Sequence, residues 1–214
     1  MRNTNFLKEM SWKKFVERKE NIDLTIIPSG ACEVYGPHLP LGTDTLVAVK
    51  ISELVAETVA SIIGPTLEVG DSRTLDEFPG TITIRPESFK QYMFDNVTSL
   101  KRWGFKDFLF INAHLGNVPL ITQISLELQR DTAIRCAQVD YWRLLKTLDK
   151  GIIESGESAH AHASEAGTSV MMYLYPDLVD VDNWINEPSK YREDFPDIIK
   201  YPPFSARTHS GTIG

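Results

Sequence analysis

Leu24-Thr-Ile-Ile27-Pro-Ser-Gly30-Ala-Cys-Glu33-Val-Tyr35-Gly-Pro-His38-Leu-Pro-Leu-Gly-Thr-Asp44 runs from an apolar segment into a loop with three Gly and two Pro. The apolar run predicts a strand over about 24–28, and the loop marks its carboxyl end. Beyond it, Leu46, Val47, Ile51, Leu54, Val55 and Val59 recur at helical spacing, which predicts a helix from Asp44 or Thr45 to Ile63, stopped by Gly64-Pro65. The same strand, loop, helix order returns at Phe108-Leu-Phe-Ile-Asn-Ala-His114-Leu-Gly-Asn117. Here a strand is expected over 108–111 and a helix from Asn117 to about Arg130.

Outward from these two units, the pattern predicts a short helix over 12–18 capped by Ser11 and a strand at 67–69. It also predicts an edge strand at 81–85, a helix from Pro86 to about Trp103, a strand near 134–139 and a helix over about 164–175. Strands alternating with long amphipathic helices predict an α/β fold, with a mostly parallel central sheet covered on both faces. With 214 residues, 42% of them apolar and 24% charged, a single globular domain spanning 1–214 is expected. Beyond Asp177 the chain reads as an ordered surface segment or subunit contact. Ser210-Gly-Thr-Ile-Gly214 is an abrupt, turn-like ending that reads as a chain continuing beyond it.

A net charge of −7 without basic clusters argues against a nucleic-acid partner, and no segment approaches the length of a membrane span. Cys32 and Cys136 are too few for a disulfide framework and point to reduced thiols in a cytoplasmic protein.

In open α/β sheets the side chains at the carboxyl ends of strands converge on one crevice. Glu33, Asp44 and His114 all sit there, and two carboxylates with an imidazole suit a divalent ion such as zinc, manganese or iron. Each has a plainer alternative: a carboxylate satisfied by loop amides, a helix N-cap, and a hydrogen-bonded structural histidine. Three protein ligands leave positions for water and substrate, which implies catalysis. A second polar concentration is Glu157-Ser-Ala-His160-Ala-His162-Ala-Ser-Glu165. His162 and Glu165 share a face if a helix begins there, and such a pair suits general acid/base work, the alternative being helix capping. His160 reads as a solvated loop histidine or, through the His-x-His spacing, a ligand. His38, Asn117 and Trp142 are candidates for contacting substrate; Asn117 has the alternative of capping its helix and Trp142 of filling a core edge. Phe78-Pro-Gly-Thr81 reads as a tight turn shaping a pocket wall.

With these residues in view, the chain resembles the creatininase family, or creatinine amidohydrolases. Gly30-Ala-Cys-Glu33-Val-Tyr35-Gly-Pro-His38-Leu-Pro-Leu-Gly-Thr-Asp44 is similar to that family's Gly-x-x-Glu-x-His-Gly-Pro-His-Leu-Pro-x-x-Thr-Asp. Phe78-Pro-Gly-Thr81, Asn112-Ala-His114-Leu-Gly-Asn117 and His162-Ala-Ser-Glu-Ala-Gly-Thr-Ser169 match three further motifs. The resemblance implies a three-layer α/β/α sandwich and a metal-dependent hydrolase of amide-type C–N bonds with one or two divalent ions, often assembled as a homo-oligomer, a hexamer in many members. It implies Glu33, Asp44 and His114 as metal ligands, Asp44 bridging where two ions bind, and His162 as the catalytic histidine; beside what the resemblance implies, Glu165, one turn from His162, and the Tyr35 phenol are read as assisting it. Tyr35 stands where the family has a second-metal His, Gly116 where creatininase has a Glu ligand, Gly167 for the Glu of Glu-Thr-Ser, and Leu75 where many relatives have His. Creatinine itself is therefore not the expected substrate. A small polar amide, formamide or cyclic amide is, with ring opening of a cyclic ketone or sugar-derived substrate as one alternative and a non-catalytic binding or assembly protein as another.

Overall fold

The computed structural model describes residues 4–131, 133–190 and 200–214. Among them β1 (Leu24–Ser29), β2 (Ser61–Ile63), β3 (Asp107–Asn112) and β4 (Arg135–Asp140) form an all-parallel sheet in the order β2-β1-β3-β4. Parallel neighbours need crossovers, and helices supply them. Following α1 (Trp12–Lys19), α2 (Thr43–Thr58) joins β1 to β2, α3 (Pro86–Arg102) precedes β3, and α4 (Val118–Asp131) leads to β4. α5 (Tyr141–Leu148) and α6 (Glu165–Leu174) follow.

Successive strand residues face opposite layers. Ile27, Phe108 and Phe110 pack with Phe89, Met93 and Val97 of α3 and with Leu120, Ile121 and Ile124 of α4. Leu24, Ile26, Leu109 and Ile111 turn the other way onto Val49, Val55 and Ala56 of α2. The result is the expected helix, sheet, helix arrangement. Because β2 and β3 flank β1 on opposite sides, the crossovers diverge and a crevice opens beyond the carboxyl ends of β1 and β3.

Several elements differ from the sequence-based expectation. The helix expected to reach Ile63 ends at Thr58, and Ser61–Ile63 becomes β2, fully buried beside β1. An apolar run that short carries no period to separate strand from helix. The strand expected at 67–69 reduces to one bridge, Ser29 to Leu67, and the one at 81–85 to the antiparallel bridge between Cys32 and Ile82. Leu67 bonds to the end of β1 through Pro28 and Gly30, and Ile82 and Ile84 bond to the loops at Cys32 and Gly70, so neither segment extends into a continuous ladder. Gly42 occupies the N-cap position of α2, so Asp44 lies inside the first turn and is not the cap. Asp140 caps an unanticipated helix, α5, by accepting the Arg143 N–H. Within the segment beyond Asp177, residues 191–199 lie outside the described residues, but 204–213 come back against the crevice instead of remaining on the surface.

Candidate metal centre and its cleft

The loop after β1 carries Glu33, the first turn of α2 carries Asp44, and His114 stands two residues beyond β3. The diverging crossovers thus deliver all three to the crevice. Their ligand atoms lie within 4.8 Å of one another, and each residue is buried. His114 Nδ1 is 3.1 Å from Asp44 Oδ2 and 3.4 Å from Glu33 Oε2.

The other ring nitrogen, His114 Nε2, lies 2.9 Å from the Asp71 carbonyl. A carbonyl only accepts, so Nε2 carries the hydrogen and the Nδ1 lone pair faces two carboxylates. Three acceptors gathered in a buried space need a cation among them. A divalent ion fits that requirement, and in its absence a second proton on His114 meets it. The protonation energetics agree. Burial lowers the His114 imidazole, but the Glu33 and Asp44 carboxylates outweigh it and raise the ring well above its ordinary value. For Glu33, burial acts upward, and the opposing pull of His114 and then His162 holds the carboxyl well below the usual carboxylate range. Asp44 is raised by its burial, against the hydrogen bond from His114.

Further donors orient the carboxylates. Ser72 Oγ donates to Glu33 Oε2 at 2.5 Å, and the indole Nε1 of Trp142, in α5, donates to Asp44 Oδ1 at 3.0 Å as well as to the Ala113 carbonyl. His162 Nε2 faces Glu33 Oε1 at 3.3 Å while its Nδ1 lies 2.9 Å from the Gly211 carbonyl. As with His114, the carbonyl fixes the tautomer: Nδ1 holds the hydrogen and Nε2 points to the acidic cluster. The Tyr35 ring lies 4.4 Å from that of His162. Burial first, and the charges of Asp44 and Glu33 after it, push its phenol well above its ordinary value, so it remains a hydrogen-bond donor.

Together these groups line a cleft of about 420 Å³ whose other walls include Leu75, Leu115, His160, Phe204, Arg207 and Ile213. His160 is not the solvated loop residue of one reading; it lines the cleft 3.4 Å from Asp149. Phe78 of the tight turn packs on Phe204 at 6.1 Å between ring centroids.

Three anticipated residues are not brought to the cleft. Glu165 opens α6, and the positive φ of Ala163 breaks any helical register with His162. Its carboxylate instead accepts the N–H groups of Glu154 and Ser155 and the Ser155 hydroxyl. His38 is buried against Thr168, 2.9 Å from its hydroxyl, and burial lowers its imidazole. Asn117 is fully buried and neither caps α4 nor meets the cleft; it accepts the Asp71 N–H and donates to Ser29 Oγ and the Gly30 carbonyl. Ser72, Phe204, Arg207 and the Gly211 carbonyl were missed by the sequence reading. Ser72 and Gly211 lie in Gly-containing turns, a signal too common to single them out.

A family model described as creatininase, creatinine amidohydrolase, matches residues 8–214. The chain belongs to the creatininase family. It is 28% identical over 229 residues to the creatinine amidohydrolase of Pseudomonas putida, covering 97% of this chain and 85% of that protein. It is 28% identical over 171 residues to a mycofactocin precursor peptide peptidase of Mycolicibacterium smegmatis, covering 77% of this chain and 63% of the peptidase. With the 3-dehydro-scyllo-inosose hydrolase of Thermotoga maritima it shares 26% identity over 179 residues, 81% of this chain and 57% of the hydrolase. The chain therefore spans about three fifths of the length of the latter two. A structure described as creatininase with Mn shares the fold at a TM-score of 0.83 with 24% identity, over 99% of this chain and 88% of the other, and so does a mutant creatininase described as of Zn–Zn type.

Members of the creatininase family are metal-dependent amidohydrolases acting on C–N bonds, and this creatininase-family chain retains a three-ligand candidate site. At Gly116, where the family resemblance points to a Glu ligand, a Cβ would stand 2.2 Å from the Asp71 carbonyl oxygen and 2.6 Å from His114 Nε2. No side chain fits there without breaking the bond that orients His114.

Proposed function

We propose that the protein hydrolyses a C–N bond in a small amide, with Glu33, Asp44 and His114 holding one divalent ion and His162 moving the proton. The observation that carries this reading is the His114 Nδ1 lone pair facing two buried carboxylates while Nε2 is committed to Asp71. When bound, a divalent ion supplies Lewis acidity and lowers the pKa of water, making a nucleophile available near neutral pH. In the overall reaction water adds to the amide carbon and the C–N bond breaks. His162 Nε2 accepts the proton that this water loses and returns it to the departing nitrogen, because Nδ1 is already committed to Gly211. Tyr35, kept protonated, donates a hydrogen bond to the oxyanion that forms as the carbonyl is attacked. Trp142 fixes the Asp44 carboxylate and walls the cleft, a role that supports substrate contact.

A cleft of about 420 Å³ with apolar walls suits a small amide, formamide or cyclic amide. Similarity to the Thermotoga hydrolase supports a second reading, ring opening of a cyclic ketone in the same cleft. Zinc, manganese and iron are all compatible with two carboxylates and an imidazole. Assembly as a homo-oligomer belongs to this reading, and exposed Met172, Tyr173, Leu178 and Trp184 support it. The cytoplasmic reading rests on two free thiols, Cys136 being pushed up to about 11 by burial; among the described residues no helix is long and apolar enough to cross a membrane.

The test is metal analysis by ICP-MS with a panel of formamides, lactams, cyclic imides and an inosose, on the zinc and manganese forms. Wild type is expected to hold close to one ion per chain, and Glu33→Ala and His114→Ala to lose both metal and turnover by roughly 100-fold. Wild-type metal content in both variants would exclude this site. A protein that takes no metal and gains no thermal stability from Zn²⁺, Mn²⁺ or Fe²⁺ is the non-catalytic alternative, since tight binding adds about 2.7 kcal/mol at a hundredfold excess over Kd.

A further inference from the structure

We infer that Glu187, outside the cleft, is a positioning residue for His162, acting through the 208–213 turn; this rests on the proton-transfer role proposed for that histidine. The Glu187 carboxylate accepts from Thr208 Oγ1 at 2.8 Å, His209 N at 2.9 Å, Ser210 N at 2.9 Å and Ser210 Oγ at 2.6 Å. Lys190 Nζ lies 2.9 Å away. These donations set the direction of the two hydroxyls. Each spends its hydrogen on Glu187 and turns its lone pairs to the next amides: Thr208 Oγ1 accepts from Gly211 N at 3.2 Å and Ser210 Oγ from Thr212 N at 3.2 Å.

The turn so held makes two bonds to His162. Gly211 presents its carbonyl to His162 Nδ1 at 2.9 Å, and Ile213 N donates to the His162 carbonyl at 2.9 Å. Gly211 has φ 81°, and a Cβ there would meet Val34 Cγ2 at 2.4 Å, so the turn sits against the loop that carries Glu33. The path from Glu187 to the imidazole is therefore one of hydrogen bonds with fixed polarity: carboxylate, hydroxyl, amide, carbonyl, Nδ1–H. Without the carboxylate the hydroxyls are free to rotate, the Gly211 carbonyl loses its fixed direction, and either nitrogen of His162 is then able to carry the hydrogen. Only the Nδ1–H tautomer leaves Nε2 free to take a proton at the reacting centre.

The test uses zinc-loaded full-length protein with ¹⁵N-histidine, read by solid-state NMR, the His162 signals being identified by their loss in His162→Gln. Wild type is expected to show a single Nδ1–H tautomer. In Glu187→Ala the signals are expected to move to a tautomer mixture, with kcat on the best substrate of the panel falling roughly 10- to 100-fold, KM within about twofold and zinc content unchanged. Glu187→Gln, which keeps one acceptor oxygen, is expected to fall between the two. Thr208→Val, which removes one link and leaves the carboxylate, is expected to shift the signals in the same direction by less, and it serves if Glu187→Ala does not fold. An unchanged single tautomer in Glu187→Ala, or in Thr208→Val where that variant stands in, overturns the inference, as does a loss of kcat with the tautomer intact. Full turnover in His162→Gln would instead remove the proton-transfer role, and the tautomer spectra report the clamp independently of that result.

Discussion

Gly116 and Gly167 both stand where the resemblance to the creatininase family points to a carboxylate, yet their surroundings differ. A Cβ at Gly116 collides with the Asp71 backbone and His114 Nε2, whereas one at Gly167 meets only the Tyr35 ring edge at 3.5 Å. Gly116→Ala is therefore expected to weaken zinc binding by roughly 10- to 100-fold, as loss of a ligand's orienting partner does. Gly167→Ala, inside α6, is expected to bind zinc normally and to be more stable by about 0.5–1 kcal/mol. Competition titrations against a fluorescent chelator and thermal melts check both, and equal zinc affinity in the two variants would refute the collision argument. At Tyr35 the phenol's protonated state decides its role. Tyr35→Phe is expected to lower kcat by roughly 100-fold with metal content unchanged; undiminished turnover would remove the oxyanion contact.

At the level of elements, the site depends on three loops that have no ladder between them. Asn117, at the start of α4, ties the end of β1 through Ser29 and Gly30 to the 70–72 loop through Asp71. That loop in turn provides the carbonyl that orients His114 and the Ser72 hydroxyl on Glu33. Asn117→Ala takes a partner from the part-buried Asp71 N–H, the buried Gly30 carbonyl and the buried Ser29 hydroxyl, and a buried group left unpaired costs about 1–3 kcal/mol. The expected outcome in urea titration is a loss of about 3 kcal/mol, together with weaker zinc binding. A stable variant of normal affinity would show that the three loops hold their positions without this link.

Across the whole molecule, chain segments far apart in sequence enclose one cleft, and acid should loosen them unevenly. Glu187 joins residue 187 to 208–210, and the Ser210 hydroxyl foremost, with the His209 amide and Lys190, holds its carboxyl well below the ordinary 4.5 against the opposing effect of burial. A carboxyl depressed in the folded state contributes stability that is complete above its unfolded value. That contribution is lost as the pH falls below about 4.5 toward the folded value. The melting-temperature gap between wild type and Glu187→Gln is accordingly expected to be full at pH 6–7 and to narrow below about pH 4.5; a gap independent of pH would contradict it.

The strand, loop, helix units around Glu33 and His114 were legible in the sequence because each pairs a buried apolar run with chain-turning residues, both local properties. The gathering of Glu33, Asp44 and His114 into one candidate site followed, since a strand's carboxyl end is a place the sequence marks. Less was legible where length or register decided. Val59 to Ile63 continued an apolar run that α2 does not use, and His162 and Glu165 were spaced for a helix that begins only at Glu165. The Gly211 carbonyl on His162, the Trp142 indole on Asp44 and the Glu187 clamp were decided by the tertiary structure alone. Each joins groups 23 to 98 residues apart, and two of the three acceptors or donors are backbone or hydroxyl groups that every sequence contains in abundance. The sequence determined which side chains stand at the ends of the strands; packing of the crossovers and the returning chain decided which atoms of those side chains face one another.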